Sequence, residues 1–319
     1  PARASSNMIL FDRTAKAAVA AAAVLLAGGF FLPQWALFLT TLSLAKGLVV
    51  LGLLLLMRTG LVSFGQGLYY CLGAYAAGTL GQFLHVSDAL LMLLLSVVIC
   101  CAVASVLGVL LAAYRGIFFA MLSLAFSMIL YGLLVKSSAL GSTDGFNVAA
   151  STLAGASLAG RARFIYFAIS VLSALIAAIG MHGFLSSDLG RLAPAVRDNE
   201  LRVEYLGASV RRVVYLNTLI AAALAGLGGG LTALVVGHID PDLAYWTSSG
   251  EFVFVAILSG TANVLAPFLG SVLFEVLRSF AYEYSPNTWQ MVVGVAMLLV
   301  IAVLPRGLWS VFSWRRKVV

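Results

Sequence analysis

The chain has 319 residues and a net charge of +7; 62% of its residues are hydrophobic and only 10% are charged. Soluble domains are about 45–50% apolar and about 25% charged, so a water-soluble protein of this length could not cover such a core. The composition therefore indicates an integral membrane protein. It excludes a disordered chain, a collagen-like fibre and a nucleic-acid-binding domain.

Ten apolar runs are candidate membrane spans, and helices are expected because the bilayer offers no water to exposed backbone groups. Eight to ten spans are expected and ten is preferred, since the eighth and ninth runs are short and could instead be a re-entrant pair beside a longer helix. Ten spans leave about 120 residues for loops, which predicts one all-α transmembrane domain over residues 1–319. The runs are 15–33, 35–57, 66–85, 89–113, 116–136, 162–181, 214–237, 248–262, 264–281 and 288–304.

The basic residues predict the orientation of this helical bundle. A cytoplasmic N-terminus places 14 of the 19 lysines and arginines on the cytoplasmic side, as the positive-inside rule requires. Both termini are then cytoplasmic, and run 15–33 is expected to be a span rather than a cleavable signal. The 14 residues are Arg3, Arg13, Lys16, Arg58, Arg115, Arg191, Arg197, Arg202, Arg211, Arg212, Arg306, Arg315, Arg316 and Lys317.

Two loops differ from the rest: an outer loop over 137–160, rich in small residues, and a charged cytoplasmic loop over 183–212. In the cytoplasmic loop, Pro194 is suited to the first turn of a helix, and Gly207 is suited to end it in a left-handed conformation. The apolar spacing predicts a short amphipathic helix, which could rest on lipid head groups or dock on a cytoplasmic protein. Its apolar positions are Val196, Leu201, Val203 and Leu206.

This loop resembles the coupling-helix segment of ATP-binding-cassette importer permeases of the branched-chain amino acid permease family. The family pattern is close to Arg-x-Asn-Glu-x-x-x-Glu-x-Leu-Gly. Residues 60–67, followed by 72–75, are similar to the family's glycine-rich segment, 143–145 resemble an outer-loop motif of its M-type subunit, and 305–308 resemble its C-terminal ending. The resemblance covers about residues 35–310. Its coupling positions here are Arg197, Asn199, Glu200, Glu204, Leu206 and Gly207.

The resemblance implies an importer permease fold in the bacterial inner membrane, in contact with lipid. It also implies a second, H-type permease, two cytoplasmic ATPase subunits that hold ATP and magnesium, and an extracytoplasmic solute-binding protein. This chain has no Gly-x-x-x-x-Gly-Lys-Ser/Thr sequence, so we expect neither an ATPase site nor a cofactor or metal of its own. Branched-chain amino acids are the implied substrates. The chain departs from the family's denser glycine pattern at Ala262 and Ala266, which keeps urea, short amides and small carboxylates as alternatives.

Two glycine-containing breaks are the candidate translocation path. Freed backbone groups in broken helices can meet a substrate, although close helix packing is an equally good explanation of membrane glycines. Close packing is the better explanation for the run 225–230, where Gly-x-x-x-Gly spacing occurs without a phosphate-binding lysine. The path candidates are Gly65, Gln66, Gly67, Gly260, Pro267 and Gly270.

Lys46, Glu275 and Arg278 are three charged residues that fall inside predicted spans. Lys46 lies about 18 Å along its helix from Arg58, so it should face the protein interior or water. Glu275 and Arg278 are three residues apart and are expected to pair on one helical face. A stand-alone ion-coupled transporter or channel, using Lys46 and Glu275 as coupling charges, is the alternative of another class; a membrane anchor without transport activity is a third.

Overall fold

The computed structural model describes residues 13–83, 86–148, 152–153, 156–157, 162–304 and 307–310. Within them the chain forms twelve α-helices joined mostly by short turns. They are α1 Arg13–Gly28, α2 Gln34–Arg58, α3 Gln66–Phe83, α4 Ala89–Leu111, α5 Gly116–Lys136, α6 Ala162–Ser186, α7 Asp188–Asp198, α8 Glu200–Tyr205, α9 Val210–Val236, α10 Trp246–Ser259, α11 Ala266–Tyr284 and α12 Trp289–Val303.

Each of the ten predicted apolar runs contains a helix, and the chain is a multi-pass membrane protein with the expected all-α architecture. Among the described residues, five helices are long and apolar enough to cross a membrane by length and composition, namely α2, α4, α5, α6 and α9. The eighth and ninth runs are separate helices, α10 and α11. Six residues of the orientation argument and the family ending lie outside the described residues: Arg3, Pro305, Arg306, Arg315, Arg316 and Lys317.

Helix α9 is the centre of the bundle and packs against α2, α3 and α4. Its glycines make this possible, because a β-carbon on Gly73 of α3 would overlap the backbone of Gly226, and one on Gly229 would overlap the carbonyl of Tyr70. One turn beyond Gly226, a β-carbon on Gly230 would lie 3.0 Å from the side chain of Leu93 in α4. The predicted use of this glycine run for close helix packing is confirmed.

The two ends of the bundle differ in charge. At the basic end, α2 finishes at Arg58 and α5 begins just after Arg115, and both lie beside the α7–α8 loop. At the opposite end, two-residue strands β1 Phe146–Asn147 and β4 His238–Ile239 pair antiparallel. Strands β2 Thr152–Leu153 and β3 Ala156–Ser157 form a second antiparallel pair in the loop predicted over 137–160.

The Thr-Asp-Gly motif at 143–145 is a tight turn packed on β4. Gly145 adopts φ +65°, in the region that favours glycine, and a β-carbon there would overlap the carbonyl oxygen of Ile239. The motif therefore fixes the approach of the outer loop to the chain that follows α9.

Candidate functional site

The charged loop predicted as one amphipathic helix is two helices with a break at Asn199. Helix α7 begins after Ser187, whose Oγ accepts from the Gly190 amide at 3.3 Å. The Asn199 side chain then caps α8 by accepting from the Arg202 amide at 2.9 Å. The prediction that Pro194 opens the helix is wrong: Pro194 lies inside α7, because the Ser187 cap starts that helix seven residues earlier.

The apolar positions of this loop divide between two faces. Val196 and Val203 are buried against the bundle and anchor the loop. Leu201, Tyr205 and Leu206 are 66%, 90% and 82% exposed. The expectation that the apolar residues share one face is therefore wrong for Leu201 and Leu206, since the break at Asn199 turns α8 relative to α7. We call the exposed trio Leu201, Tyr205 and Leu206 the docking patch.

The charges of the loop that match the family pattern have different surroundings. The Glu200 carboxylate accepts from Arg115 Nε at 2.8 Å, so it is paired within the chain. The Arg197 stem packs over Gly60, just beyond α2, where a β-carbon would lie 3.1 Å from Arg197 Cγ. Glu204 is exposed. Gly207 adopts φ +84°, which confirms the predicted left-handed helix end.

The break at Gly260 lies at the basic end, beside the α7–α8 loop. Arg58 Nε and one of its terminal nitrogens donate to the Thr261 carbonyl at 2.9 and 2.7 Å, and that nitrogen also donates to the Ala262 carbonyl at 3.2 Å. A cavity of about 530 Å³ separates this turn from Arg197. From the sequence, Arg58 was counted only among the basic residues that predict the cytoplasmic side. No local pattern indicated that its side chain holds the turn after Gly260.

Pro267 and Gly270 belong to helix packing rather than to a break. Pro267 is buried in the first turn of α11, a position that tolerates proline. A β-carbon on Gly270 would overlap the Ser259 hydroxyl at the end of α10. These two residues therefore bring α11 close to α10.

The break at residues 65–67 lies in the middle of the bundle. The Gly67 amide donates to Ser249 Oγ at 3.0 Å, and the Phe64 amide donates to Ser123 Oγ at 3.1 Å. Ser127 Oγ donates at 2.7 Å to the carbonyl of Ala244, in the chain entering from the opposite end. Ser127 is the twelfth of 21 residues of α5, so serines satisfy these backbone groups at mid-depth, as burial in a membrane requires.

Gln66, at this break, and Asp240, in the chain leading to it, are polar residues that are buried and half-buried respectively. Gln66 is 1% exposed, and its Oε1 has no hydrogen-bond partner among the described residues. In the connection between α9 and α10, burial and the charge of Asp242 raise the pKa of Asp240 above its usual value. Gln66 is the predicted path residue whose side chain retains unused hydrogen-bonding capacity.

Four charged residues at mid-depth form a network that we call the charge tetrad: Lys46, Glu251, Glu275 and Arg278. Lys46 Nζ lies 2.6 Å from Glu275 Oε1 and 3.7 Å from Glu251 Oε2. Arg278 lies 3.3 Å from Glu251 and 4.0 Å from Glu275. The prediction that Lys46 faces the protein is confirmed, and the predicted Glu275–Arg278 pair is present but long. Sequence reasoning missed Glu251, which stands alone in an apolar run.

A groove of about 900 Å³ reaches the charge tetrad from the surface of the bundle. Lys46, Glu275 and Arg278 line its polar side, near the Tyr70 and Thr232 hydroxyls, which are hydrogen-bonded at 2.9 Å. The other side is apolar. Its lining includes Trp35, Phe38, Leu39, Leu42, Val236 and Leu243. The groove thus offers charges of both signs next to a hydrocarbon wall.

Comparison with known proteins places these features in a family. Residues 35–302 match the model of the family described as the permease component of branched-chain amino acid transport systems. No solved structure matches the chain.

Characterised relatives carry related names. The chain is 25% identical over 284 residues to the high-affinity branched-chain amino acid transport system permease protein LivM of Escherichia coli (strain K12), covering 82% of this chain and 65% of that protein. It is 28% identical over 123 residues to LivH of Salmonella typhimurium, covering 38% and 40% of the two chains. It is 26% identical over 131 residues to BraD of Pseudomonas aeruginosa, covering 40% and 42%.

The chain spans 65% of the length of its LivM relative. The family match itself extends from α2 to α12. It includes the α7–α8 loop, the break at residues 65–67 and the charge tetrad. The chain therefore belongs to the family of permease components of branched-chain amino acid transport systems.

Proposed function

We propose that this chain is one of two transmembrane subunits of an ATP-driven importer for branched-chain amino acids, and that the α7–α8 loop docks on an ATPase partner. The docking patch is the observation that carries this proposal. A leucine, a tyrosine and a second leucine stand more than half exposed at the basic end, on a loop that is anchored to the bundle by buried Val196 and Val203.

The charge around the patch favours a protein groove over a lipid surface. Exposed Arg202 and Glu204 lie within the same short helix as Tyr205, so the surface carries both signs. An interfacial helix on anionic lipid is typically rich in lysine and arginine on its polar face. An apolar core that contains an aromatic residue, surrounded by a polar rim, is typical of protein interfaces.

The fixed attachment of the loop gives docking a route into the membrane. Glu200 is tied to Arg115 before α5, and Arg197 packs on the turn after α2. Movement of the loop would therefore be transmitted to α2 and α5, which border the break at residues 65–67. ATP binding and hydrolysis on the partner subunits would drive this movement.

The names of the relatives support the substrate, since LivM, LivH and BraD are all described as branched-chain amino acid permeases. The occurrence of separate M and H proteins supports a second permease subunit. An extracytoplasmic solute-binding protein that delivers the amino acid completes the proposed machinery.

Substitution of the docking patch tests the proposal. Leu206→Asp places a charge at the centre of the patch, and we expect ATP-dependent leucine uptake and ATPase co-purification to fall by about tenfold, as for the loss of an interface anchor. Leu189→Asp is the matched control, because Leu189 is an exposed leucine of the same loop outside the patch. Uptake that continues without ATP, driven by an ion gradient in liposomes holding this chain alone, would instead support a stand-alone transporter.

A further inference from the structure

We propose that the charge tetrad is a binding site for the ammonium and carboxylate groups of a zwitterionic amino acid, with the apolar wall of the groove holding its side chain. This inference rests on the proposed function and assigns a place within it. It concerns the groove that Lys46 and Arg278 line, which is separate from the α7–α8 loop.

The four charges of the tetrad differ in how tightly they are paired and how far they are exposed. Lys46 lies on α2 and Glu275 on α11, and their 2.6 Å contact neutralises both charges within the bundle. Glu251 and Arg278 are looser, at 3.3 Å, and more accessible, with 27% and 36% of their side chains exposed. Arg278 lines the groove and is therefore available to a ligand, whereas Glu251 does not line it and the Lys46–Glu275 pair forms the floor of the site.

The lining of the groove selects the kind of ligand. Lys46, Arg163 and Arg278 are its cationic groups and Glu275 is its carboxylate, whereas Glu251 does not line it. A zwitterion would accept from the Arg278 guanidinium with its carboxylate and place its ammonium beside Glu275, so each of its charges would face a group of opposite sign. A simple carboxylate or a simple amine would use only one of these two contacts.

The wall beside the tetrad fits an aliphatic side chain. Leu42 lies one helical turn before Lys46 on α2, so both side chains share a face of that helix. Leu39 and Phe38 extend the apolar surface toward Trp35. A branched side chain would remove this hydrocarbon surface from water while its backbone groups reach the charges.

The test uses the assembled transporter with its binding protein in liposomes, with labelled leucine as the probe. Glu275→Gln and Arg278→Gln should each reduce ATP-dependent uptake by about tenfold, as expected for loss of a charged hydrogen bond. The double variant should stay as low, although its net charge is again zero. Glu283→Gln, an exposed acid on the same helix as Arg278, is the matched control and should transport normally.

The outcomes separate this inference from the proposed function. Wild-type complexes without ATP-dependent leucine uptake would overturn both. Normal uptake in the single variants, or recovery in the double variant, would mean that the pair serves only charge balance and would overturn the inference alone.

A second variant decides the case in which the charge variants do not assemble. Leu42→Phe adds bulk to the apolar wall without changing charge, and it should lower uptake of leucine relative to valine by about tenfold. An unchanged leucine-to-valine ratio in assembled complexes would place the substrate elsewhere and overturn the inference. Because every variant receives substrate from the same binding protein, the selectivity of that protein cancels in the ratio.

Discussion

At the residue scale, the contact between α3 and α9 depends on glycines, which have no side chain to hold the two helices apart. A β-carbon on Gly73 would overlap both the carbonyl oxygen and the α-carbon of Gly226, which belong to a helix backbone that cannot rotate away. The Gly-x-x-x-Gly spacing at 226–230 predicted close packing. It did not identify Gly73 as the partner, because a glycine carries no side-chain pattern that specifies its neighbour.

Replacement of this glycine tests the packing directly. Gly73→Ala should destabilise the folded protein by about 1–3 kcal/mol, since the added methyl group forces two helices apart. Gly132→Ala in α5 is the control: a β-carbon there meets nothing within 4 Å, and alanine is the better helix former. Thermal unfolding of the detergent-solubilised variants measures the effect. Equal midpoints for the two variants would contradict the close approach.

At the element scale, the α7–α8 loop shows which local signals decide where a helix begins and ends. Ser187 followed by Asp188 is a helix-start signal visible in the sequence, and it takes precedence over Pro194. The end of α8, just before Gly207, was predictable because its cause is local, namely a backbone conformation that favours glycine. The exposure of Leu201 and Leu206 was not predictable, because it depends on the direction that α8 takes after Asn199.

The two glutamates of this loop should respond differently to charge reversal. Glu200 is bound to Arg115, so Glu200→Arg should reduce ATP-dependent uptake by about tenfold, and the added change Arg115→Glu should restore it by re-forming the pair in reverse. Glu204 is exposed, so Glu204→Arg should reduce uptake by weakening the contact with the ATPase partner. Adding Arg115→Glu should not restore uptake in this variant. Liposome uptake by the four variants measures the coupling. Failure of the double variant to recover would mean that Glu200 itself contacts the ATPase.

At the scale of the whole molecule, helix existence was largely predictable and helix partners were not. Apolar runs of sufficient length specify helices because the bilayer leaves the backbone no alternative. Lys46 and Glu275 are 229 residues apart in the chain, and nothing near either residue indicated the other. Glu251 was overlooked for the same reason, since its importance comes only from the helices around it.

The orientation of the bundle remains a prediction with a direct measurement. In a chain whose three cysteines are replaced by alanine, Ser209→Cys should react with a membrane-impermeant thiol reagent only after the cells are permeabilised, because it lies beside the basic end. Thr143→Cys, in the turn at the opposite end, should react in intact cells. The reverse pattern would invert the topology and place the docking patch outside the cell.

The central position of α9 also has a consequence for how the protein is made. Its packing partners α2, α3 and α4 precede it in the chain, so they enter the membrane before the helix that fills the space between them. At ordinary synthesis rates, the roughly 150 residues from Arg58 to Val210 take about ten to thirty seconds to translate. During that interval the small-residue face of α3, including Gly73, has no partner within its own chain. We therefore expect the core between α2, α3 and α4 to close only after α9 has been synthesised.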